Sequence, residues 1–317
     1  MLPVLGFVAC KESNEIKLIE LKPVQTLTAL NDSSYFRDVL AITVDDEFVY
    51  ASDAYNGRVI KMDKDLNLVS FIGFRGQGPG GFTYVGPSVV QDDTVYVVEN
   101  GYKLNVFDKE DHFVRSSIMN DHSLVGVCGD NEGCLYFSSR LDSLPIVKYD
   151  RCMNRLGAFG EWVGTAETKH ATDLYHLCFF NNQLLVVSQD SPRLYLYDTD
   201  GTVKLQKALD EPMFKSRLDF KESEWLKDPS NKKRTYTLFA SIAIYGNKVY
   251  LLYIDHDPVE WVKCNKLVEL TYEDNDFKVS NHYALAMNGW FTVINLLDED
   301  RLIAFDAKAS AFCVYDL

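Results

Sequence analysis

Short apolar segments recur along this chain, and each begins directly behind a polar turn. An apolar residue and then an aromatic or aliphatic one follow a turn of Asp, Asn, Glu or Gly, which is the pattern of a β-hairpin. The six pairs are Val49-Tyr50, Val95-Tyr96, Leu135-Tyr136, Leu184-Leu185, Val249-Tyr250 and Leu302-Ile303. The pattern predicts six equivalent strands.

A second alternating run follows each pair at a nearly constant distance. In five units the run ends in an aspartate that lies 13 to 15 residues after the start of the pair, at Asp63, Asp108, Asp150, Asp198 and Asp316. The fifth unit departs from this register and ends at Thr271, because segment 255–264 is inserted between its strands. Further strands are predicted over 66–72, 112–118, 155–159, 202–209 and 277–285. Unrelated strands would not keep this register.

The spacing of the units indicates the fold. The pairs are 46, 40, 49, 65 and 53 residues apart, and four strands per unit at this period are typical of propeller blades. We predict an all-β fold, a six-bladed β-propeller of four-stranded blades, with a β-sandwich of coincidental spacing as the alternative. Residues 14–317 are expected to form one domain.

The last blade needs a strand from elsewhere in the chain. The sixth unit stops at Leu317, directly after its third strand, and an unpaired outer edge is a liability in a sheet. Segment 16–21, IKLIEL, alternates with period two. We predict that this N-terminal strand closes the ring as the outermost strand of blade six, paired with 312–315.

The glycine-rich segment 73–82, GFRGQGPGGF, is predicted to be a loop between the first two blades. It holds five glycines around Pro79, and glycine and proline at this density are incompatible with a strand interior. With this loop the chain resembles the six-bladed β-propeller lipoproteins of Bacteroidetes, which are similar to NHL-repeat and TolB-type propellers. The family loop reads G-x-G-P-G-E-F, and Gly81 stands here in place of the glutamate. The resemblance implies an envelope location and a binding role rather than a reaction.

The charge of the chain and the spacing of its cysteines limit which classes of ligand it is expected to bind. The 32 Lys and Arg against 46 Asp and Glu give a net charge of −14, without the basic patch that a nucleic acid requires. We therefore expect no nucleic-acid partner. The seven cysteines form no CxxC pair and no zinc-like cluster with histidine.

Cys10 differs from the other cysteines because it follows the apolar run 5–9 and precedes the polar residues 11–14. This resembles a bacterial lipobox, in which the cysteine is lipidated after cleavage of a signal peptide. We therefore predict that residues 1–13 are the remnant of a signal and a tether. Cys10 would be the lipid attachment site of an outer-membrane lipoprotein, periplasmic or surface-facing, that meets the membrane only through this anchor.

Four connections stand out by their irregular length. They are 73–82, 160–172 and 210–234 between blades, and 255–264 within blade five. In a propeller these connections open on the same face, which we call the long-loop face, and insertions confined to one face mark a binding surface. We predict that this face of a monomer binds a glycan or an envelope protein, without a cofactor. The candidate binding residues are Arg75, Gln77, Trp162, His170, Trp225, His256 and Trp261. Packing of the long loops against the rim is the alternative.

An enzymatic function is the second hypothesis. Propeller lactonases hold a metal at the channel mouth with carboxylates and asparagines, and Asp38 precedes the first inner strand at such a position. A metal-dependent hydrolase or lactonase, or a lyase, with a site at the central channel is therefore the alternative function. Asp198-Thr199-Asp200-Gly201 is interpreted as a hairpin turn rather than a calcium loop, and His176 as a satisfied core or channel histidine.

Overall fold

Six blades, each built on four antiparallel strands, stand around a central channel in the computed structural model, which describes residues 16–119, 124–140, 143–162, 174–228, 230, 234–257, 261–285 and 289–317. The first strand of each blade lies innermost, beside the first strands of the two neighbouring blades. The ring is closed, and the predicted six-bladed β-propeller is confirmed.

The first three blades contain four strands each. Blade one has strands Val39–Val44, Phe48–Asp53, Arg58–Asp63 and Leu68–Ile72. Blade two has strands Val85–Gln91, Thr94–Glu99, Lys103–Phe107 and Phe113–Ile118. Blade three has strands Leu124–Gly129, Leu135–Ser139, Ile146–Tyr149 and Arg155–Phe159. Between blades one and two, Phe74–Arg75 and Gly81–Phe82 form a two-stranded parallel ladder.

The last three blades include the longest strands and the helical crossing. Blade four has strands Tyr175–Phe180, Gln183–Ser188, Arg193–Tyr197 and Val203–Ala208. Blade five has strands Phe239–Tyr245, Lys248–Asp257, Trp261–Glu273 and Asp276–Ala284. Blade six has strands Phe291–Leu296, Arg301–Asp306 and Ala311–Asp316. The crossing from blade four to blade five contains a 3-10 turn, Pro212–Phe214, and an α-helix, Lys215–Lys227.

The N-terminal segment closes the ring, but not through the predicted strand. Blade six is completed by Gln25–Leu27, which pairs antiparallel with the last strand of the chain. Leu18–Glu20, within the predicted segment 16–21, instead adds a fifth, parallel strand to blade five. The reason lies downstream, since Leu30 and Phe36 are buried in the core between blades six and one. They fix the path into blade one, so the residues just before that path take the closing position.

The hydrophobic core lies between the blades rather than in the middle of the ring. Buried apolar side chains form six clusters, one at each junction of neighbouring blades. At the junction of blades one and two, for example, Tyr50 and Val59 pack with Val95 and Val97. Alternate residues of the second and third strands supply these contacts, which explains the repeated apolar pairs of the sequence.

The recurrent aspartates hold the turns that follow the third strands. Asp63 Oδ1 accepts hydrogen bonds from the backbone N–H groups of Asp65 and Asn67, at 3.0 and 2.8 Å. The predicted hairpin turn at Asp198 is also found, with Gly201 at a φ of 90° and its N–H donated to the Asp198 carbonyl at 2.9 Å. The aspartates recur at a nearly constant spacing because the turn after these third strands needs a carboxylate to accept its backbone N–H groups.

Blade five extends beyond its neighbours. Its second and third strands continue, past a register shift between Tyr253 and Asp255, as far as the pair formed by Asp257 and Trp261, so the insertion predicted at 255–264 lengthens a hairpin. The helix packs against the second strand of the blade, Lys248–Asp257. No helix within the described ranges is long and apolar enough to cross a membrane.

Candidate functional site

The two kinds of connection lie on opposite faces of the ring. Because consecutive strands of a blade are antiparallel, the turns after first and third strands open on one face, which we call the short-turn face. The turns after second strands and the crossings between blades open on the long-loop face.

The glycine-rich crossing places Arg75 and Gln77 in solvent on the long-loop face. The loop closes on itself, since the Gly76 N–H donates to the Phe82 carbonyl at 3.0 Å while the Phe82 ring is buried against blade two. Arg75 Nη1 donates to the carbonyl of Tyr55 at 2.7 Å. The loop therefore positions one guanidinium beside a turn of blade one.

The predicted tryptophans and histidines do not gather at one place. Trp162 packs against Tyr175, with ring centroids 6.3 Å apart, and its Nε1 donates to the Ser143 carbonyl at 2.9 Å. Trp162 therefore packs against the rim of the propeller, which was the alternative to a role in ligand binding. The side chain of Trp261 and the whole of His170 lie outside the described residues, as does Cys10.

His256 belongs to the contact between blade five and the helix, whereas the contact found for Trp225 lies within the helix. The His256 ring stacks on Phe220 of the helix, with centroids 4.0 Å apart. The Trp225 ring lies beneath the ammonium group of Lys221 of the same helix, at 4.9 Å. The stack of His256 on Phe220 therefore helps to hold the helix and the long hairpin together.

A different set of aromatic side chains is exposed on the long-loop face. Six aromatic side chains in the described ranges are strongly exposed, and five of them stand on the long-loop face of blades one and two, with exposures from 38% to 68%. We call these five, Tyr35, Tyr55, Phe74, Tyr84 and Tyr102, the tyrosine surface. The sixth, Tyr245, lies on the short-turn face of blade five. This concentration makes the tyrosine surface the candidate functional site.

Tyr55 is at the centre of the tyrosine surface. Its ring meets that of Tyr84 edge to face, with centroids 6.2 Å apart. The Arg37 guanidinium lies over the Tyr55 ring, 5.3 Å from its centroid, and Arg75 holds the Tyr55 carbonyl from the other side. The carbonyl of Tyr35 accepts hydrogen bonds from Asn56 and Arg58, which follow Tyr55 in the same turn.

Backbone hydrogen bonds anchor the rest of this surface to the blades. The Tyr84 carbonyl accepts the N–H of Asn100 at 3.2 Å, and the Tyr102 carbonyl accepts that of Met119 at 2.7 Å. Glu99 is buried and accepts from the Thr83 N–H, Lys103 and Asn105. The exposed rings therefore stand on a fixed backbone, an arrangement that preorganises a binding surface.

Asp38 is a carboxylate whose charge reaches the exposed Tyr84. Burial, and then the charge of Asp53, raise the pKa of Asp38. Burial, the charge of Asp38 and the neighbouring Tyr55 together raise the pKa of Tyr84. Asp53 itself is fully buried and accepts from Arg58 and Asn56, so its role is structural.

The central channel, predicted as the site of the alternative function, has a volume of about 490 Å³. Its described lining is mostly apolar, with Phe179 and His176 among aliphatic and small polar residues and without Asp, Glu, Lys or Arg, and Asp38 is not part of it. Among the residues that the structure describes, no group of three or more His, Cys, Asp or Glu is suited to a metal ion. The described residues therefore provide no ligand set for the lactonase alternative.

Polar side chains near the channel tie the blades together. Each of the six junctions carries at least one such hydrogen bond, for example Thr43 to the Ser88 carbonyl, Gln91 to the Asp130 carbonyl, the Tyr175 N–H to Ser138, His176 with the Phe239 carbonyl, the Ile294 N–H to Ser241, and Asn295 to the Ile42 carbonyl. Burial lowers the pKa of His176, which favours the neutral ring. His176 is thus the satisfied histidine that the sequence predicted.

The sequence contains a signal for the tyrosine surface, but loop length does not show it. Tyr55 and Tyr102 stand in short turns, beside Asn56-Gly57 and Asn100-Gly101, where no core position requires a ring. An aromatic residue within a tight polar turn is placed in solvent by the turn itself. Loop length, by contrast, selected tryptophans that the rim and the helix use for packing.

Comparisons with known proteins show the fold. No protein-family model matches this sequence, and no curated protein matches it. A solved structure of an exported protein from Bacteroides fragilis, described as putative, is similar with a TM-score of 0.63 at 14% identity, covering 91% of this chain and 88% of that one. A member of the DUF4221 family from Bacteroides vulgatus is similar with a TM-score of 0.63 at 10% identity, covering 93% and 97%. A streptogramin B lyase is similar with a TM-score of 0.56 at 11% identity, covering 92% and 87%. At these identities the chain shares the propeller architecture with all three.

Proposed function

We propose that this protein is a non-catalytic propeller of the cell envelope that binds a glycan on the tyrosine surface. The observation that carries the proposal is the placement of five of six exposed aromatic side chains on one face of two adjacent blades. Aromatic rings on a rigid surface stack on the apolar faces of sugar rings, and phenol hydroxyl groups supply hydrogen bonds at the edge. A monomeric protein rarely exposes such a patch without a use for it.

A glycan suits this surface better than a protein partner. At protein interfaces the anchoring aromatic side chains are fully desolvated in pockets, and aspartate is depleted. Here the Arg37 guanidinium lies over the Tyr55 ring, Arg75 donates to the Tyr55 carbonyl, and the charge of Asp38 reaches Tyr84. Rings interleaved with planar polar groups fit a ligand that offers hydroxyl groups on every side.

Two observations support a location in the envelope. One structural neighbour is an exported Bacteroides protein, and Cys10 stands in a lipobox-like context. Leu18–Glu20 runs parallel to the last strand of blade five, toward the long-loop face, so Ile16 and Lys17 lead away toward the short-turn face. A lipid on Cys10 would then leave the tyrosine surface turned away from the membrane. Palmitate labelling of the full chain, lost in Cys10→Ala, tests the anchor.

A glycan array with matched variants tests the binding function. We expect the wild-type protein to bind a subset of glycans, and Tyr55→Ala and Tyr84→Ala to lower that affinity at least about tenfold, as removal of a stacked aromatic anchor would. Tyr245→Ala removes an equally exposed tyrosine from the opposite face and should bind as the wild type does. Equal binding by all four proteins, or selective loss in Tyr245→Ala, would contradict the proposal.

A further inference from the structure

We propose that the glycan bound by the tyrosine surface is acidic, and that Arg37 and Arg75 bind the carboxylates of its uronic-acid units. The inference rests on the proposed function, because it names the class of ligand for the same surface. It is drawn from the charges around Tyr55 rather than from its ring.

The two guanidinium groups border Tyr55 from different directions. Arg37 lies over its ring at 5.3 Å, while Arg75 Nη1 donates to its carbonyl at 2.7 Å. Both arginines are exposed, and among the described residues neither has a carboxylate partner. Each guanidinium therefore keeps N–H groups for a ligand, and its planar fork matches a carboxylate in two parallel hydrogen bonds.

The spacing of charge and ring fits a sugar acid. A pyranose ring packed against Tyr55 would lie beside the Arg37 guanidinium, which stands over the same ring, and near the Arg75 guanidinium, which donates to the Tyr55 carbonyl. A carboxylate on that sugar would then meet one of the two guanidinium groups. A neutral sugar would leave both guanidinium groups without an anionic partner.

The negative charge of blades one and two is concentrated on the other face. A groove of about 540 Å³ on the short-turn face is lined by six carboxylates and only two lysines, Lys61 and Lys109; the carboxylates are those of Asp45, Asp46, Glu47, Asp92, Asp93 and Glu110. The net charge of −14 is thus unevenly distributed here. An acidic polymer on the long-loop face meets Arg37 and Arg75 while the ring of the propeller separates it from that groove.

Substitution of Asp38 should change the affinity for an acidic glycan in the opposite direction to substitution of either arginine. It is the one described carboxylate whose charge reaches Tyr84 on this surface, and in its ionised form it repels an anionic ligand. Asp38→Asn removes that charge with little change of shape. The variant should therefore bind an acidic glycan more tightly than the wild type, whereas each arginine variant should bind it more weakly.

Uronic-acid polymers and their methyl esters provide matched probes. We would measure binding of polygalacturonate, alginate and hyaluronan, each beside its methyl-esterified form, to the full chain and to Arg37→Ala, Arg75→Ala, Asp38→Asn and Arg193→Ala. Arg193 is an exposed arginine at the start of the third strand of blade four, on the same face, and serves as the control. We expect at least one acid form to bind. Its affinity should fall about tenfold in each of Arg37→Ala and Arg75→Ala, rise in Asp38→Asn and stay unchanged in Arg193→Ala.

The esters separate this proposal from the proposed function. If Tyr55→Ala abolishes binding while acid and ester forms bind alike and the arginine variants bind as the wild type does, the surface binds glycans but the acidic ligand is wrong. If none of the acid forms binds, the acidic ligand is also wrong. If Tyr55→Ala leaves every affinity unchanged, the tyrosine surface itself is the wrong site. Thermal melts of the variants exclude misfolding; they are expected to match the wild type, because the substituted arginines and tyrosines are exposed and Asp38→Asn keeps the shape of a half-buried side chain.

Discussion

The rings of Tyr55 and Tyr84 meet edge to face across the junction of blades one and two, with centroids 6.2 Å apart and planes at 89°. Both rings are exposed, so neither is there to fill the core. Two perpendicular rings present a face and an edge to the same ligand, a corner in which a sugar ring is held from two directions. The contact between the two rings joins blades one and two at the surface where binding is proposed.

Two truncations should separate the two N-terminal strands. Removal of residues 1–21 takes away only the parallel strand on blade five, whose Leu18 and Ile19 are about 40% exposed, and should lower the melting temperature slightly. Removal of residues 1–27 also takes away Gln25–Leu27, exposes the edge of the last strand and should cause a large loss of stability or aggregation. Thermal denaturation of both proteins checks this. A large loss in the first truncation, with no further loss in the second, would return the closing role to segment 16–21.

His282 should make the fold sensitive to acid. It is buried beneath the N-terminal strand, with Nε2 2.7 Å from the Tyr253 hydroxyl, and burial followed by the charge of Lys266 lowers its pKa to about 4. The unfolded chain takes up this proton near pH 6.5, so the stability from the neutral ring is complete above pH 6.5. It is lost as the pH falls to about 4, and the loss is about 3 kcal/mol.

Urea denaturation at pH 7.5 and at pH 4 measures this contribution. His282→Gln should be less stable than the wild type at pH 7.5 and should lose about 3 kcal/mol less between the two pH values. His112→Gln replaces an exposed histidine of blade two and should follow the wild type. The same acid-induced loss in all three proteins would assign the acid sensitivity to other groups.

Gly81 should not tolerate the glutamate that the family loop carries at this position. A Cβ atom there would lie 2.9 Å from the Gly76 carbonyl oxygen, within the backbone of the same loop. Gly81→Glu should therefore cost roughly 1–3 kcal/mol and weaken the contact of Arg75 with Tyr55. Gly157→Ala, where a Cβ meets nothing within 4 Å, is the control and should leave the melting temperature within a degree or two of the wild type. An unchanged melting temperature in Gly81→Glu would mean that the loop in solution accommodates the family residue.

The blades were predictable because the interactions that define them are local. Asp63 caps the turn that begins at Asp63 itself, and Tyr136 donates to Asp130 six residues earlier, at 2.8 Å. Such pairs leave a regular register in the sequence. The closing strand was misassigned because its position depends on Leu30 and Phe36, whose burial needs blades six and one to be assembled first. An alternating pattern alone cannot distinguish two edge strands of similar length.

The candidate site was predictable only in part. Loop length selected Arg75, which the structure places in solvent beside Tyr55, since the loop that carries it is long and rich in glycine. The tyrosines were missed because their exposure depends on the meeting of two short turns and two crossings from different blades. Trp225 and Trp162 were selected because tryptophan is rare and aromatic, but a large ring in a long loop also has the most surface to bury.

Fluorine NMR of protein labelled with 3-fluorotyrosine tests the central claim most directly. The resonances of Tyr55, Tyr84 and Tyr245 are assigned by single substitution with Phe, and the labelled protein is titrated with the glycan that binds most tightly in the array. Binding on the tyrosine surface predicts that the Tyr55 and Tyr84 signals shift in proportion to occupancy while the Tyr245 signal stays in place. Saturation of the protein without a shift of Tyr55 or Tyr84, or with a shift confined to Tyr245, would contradict the account.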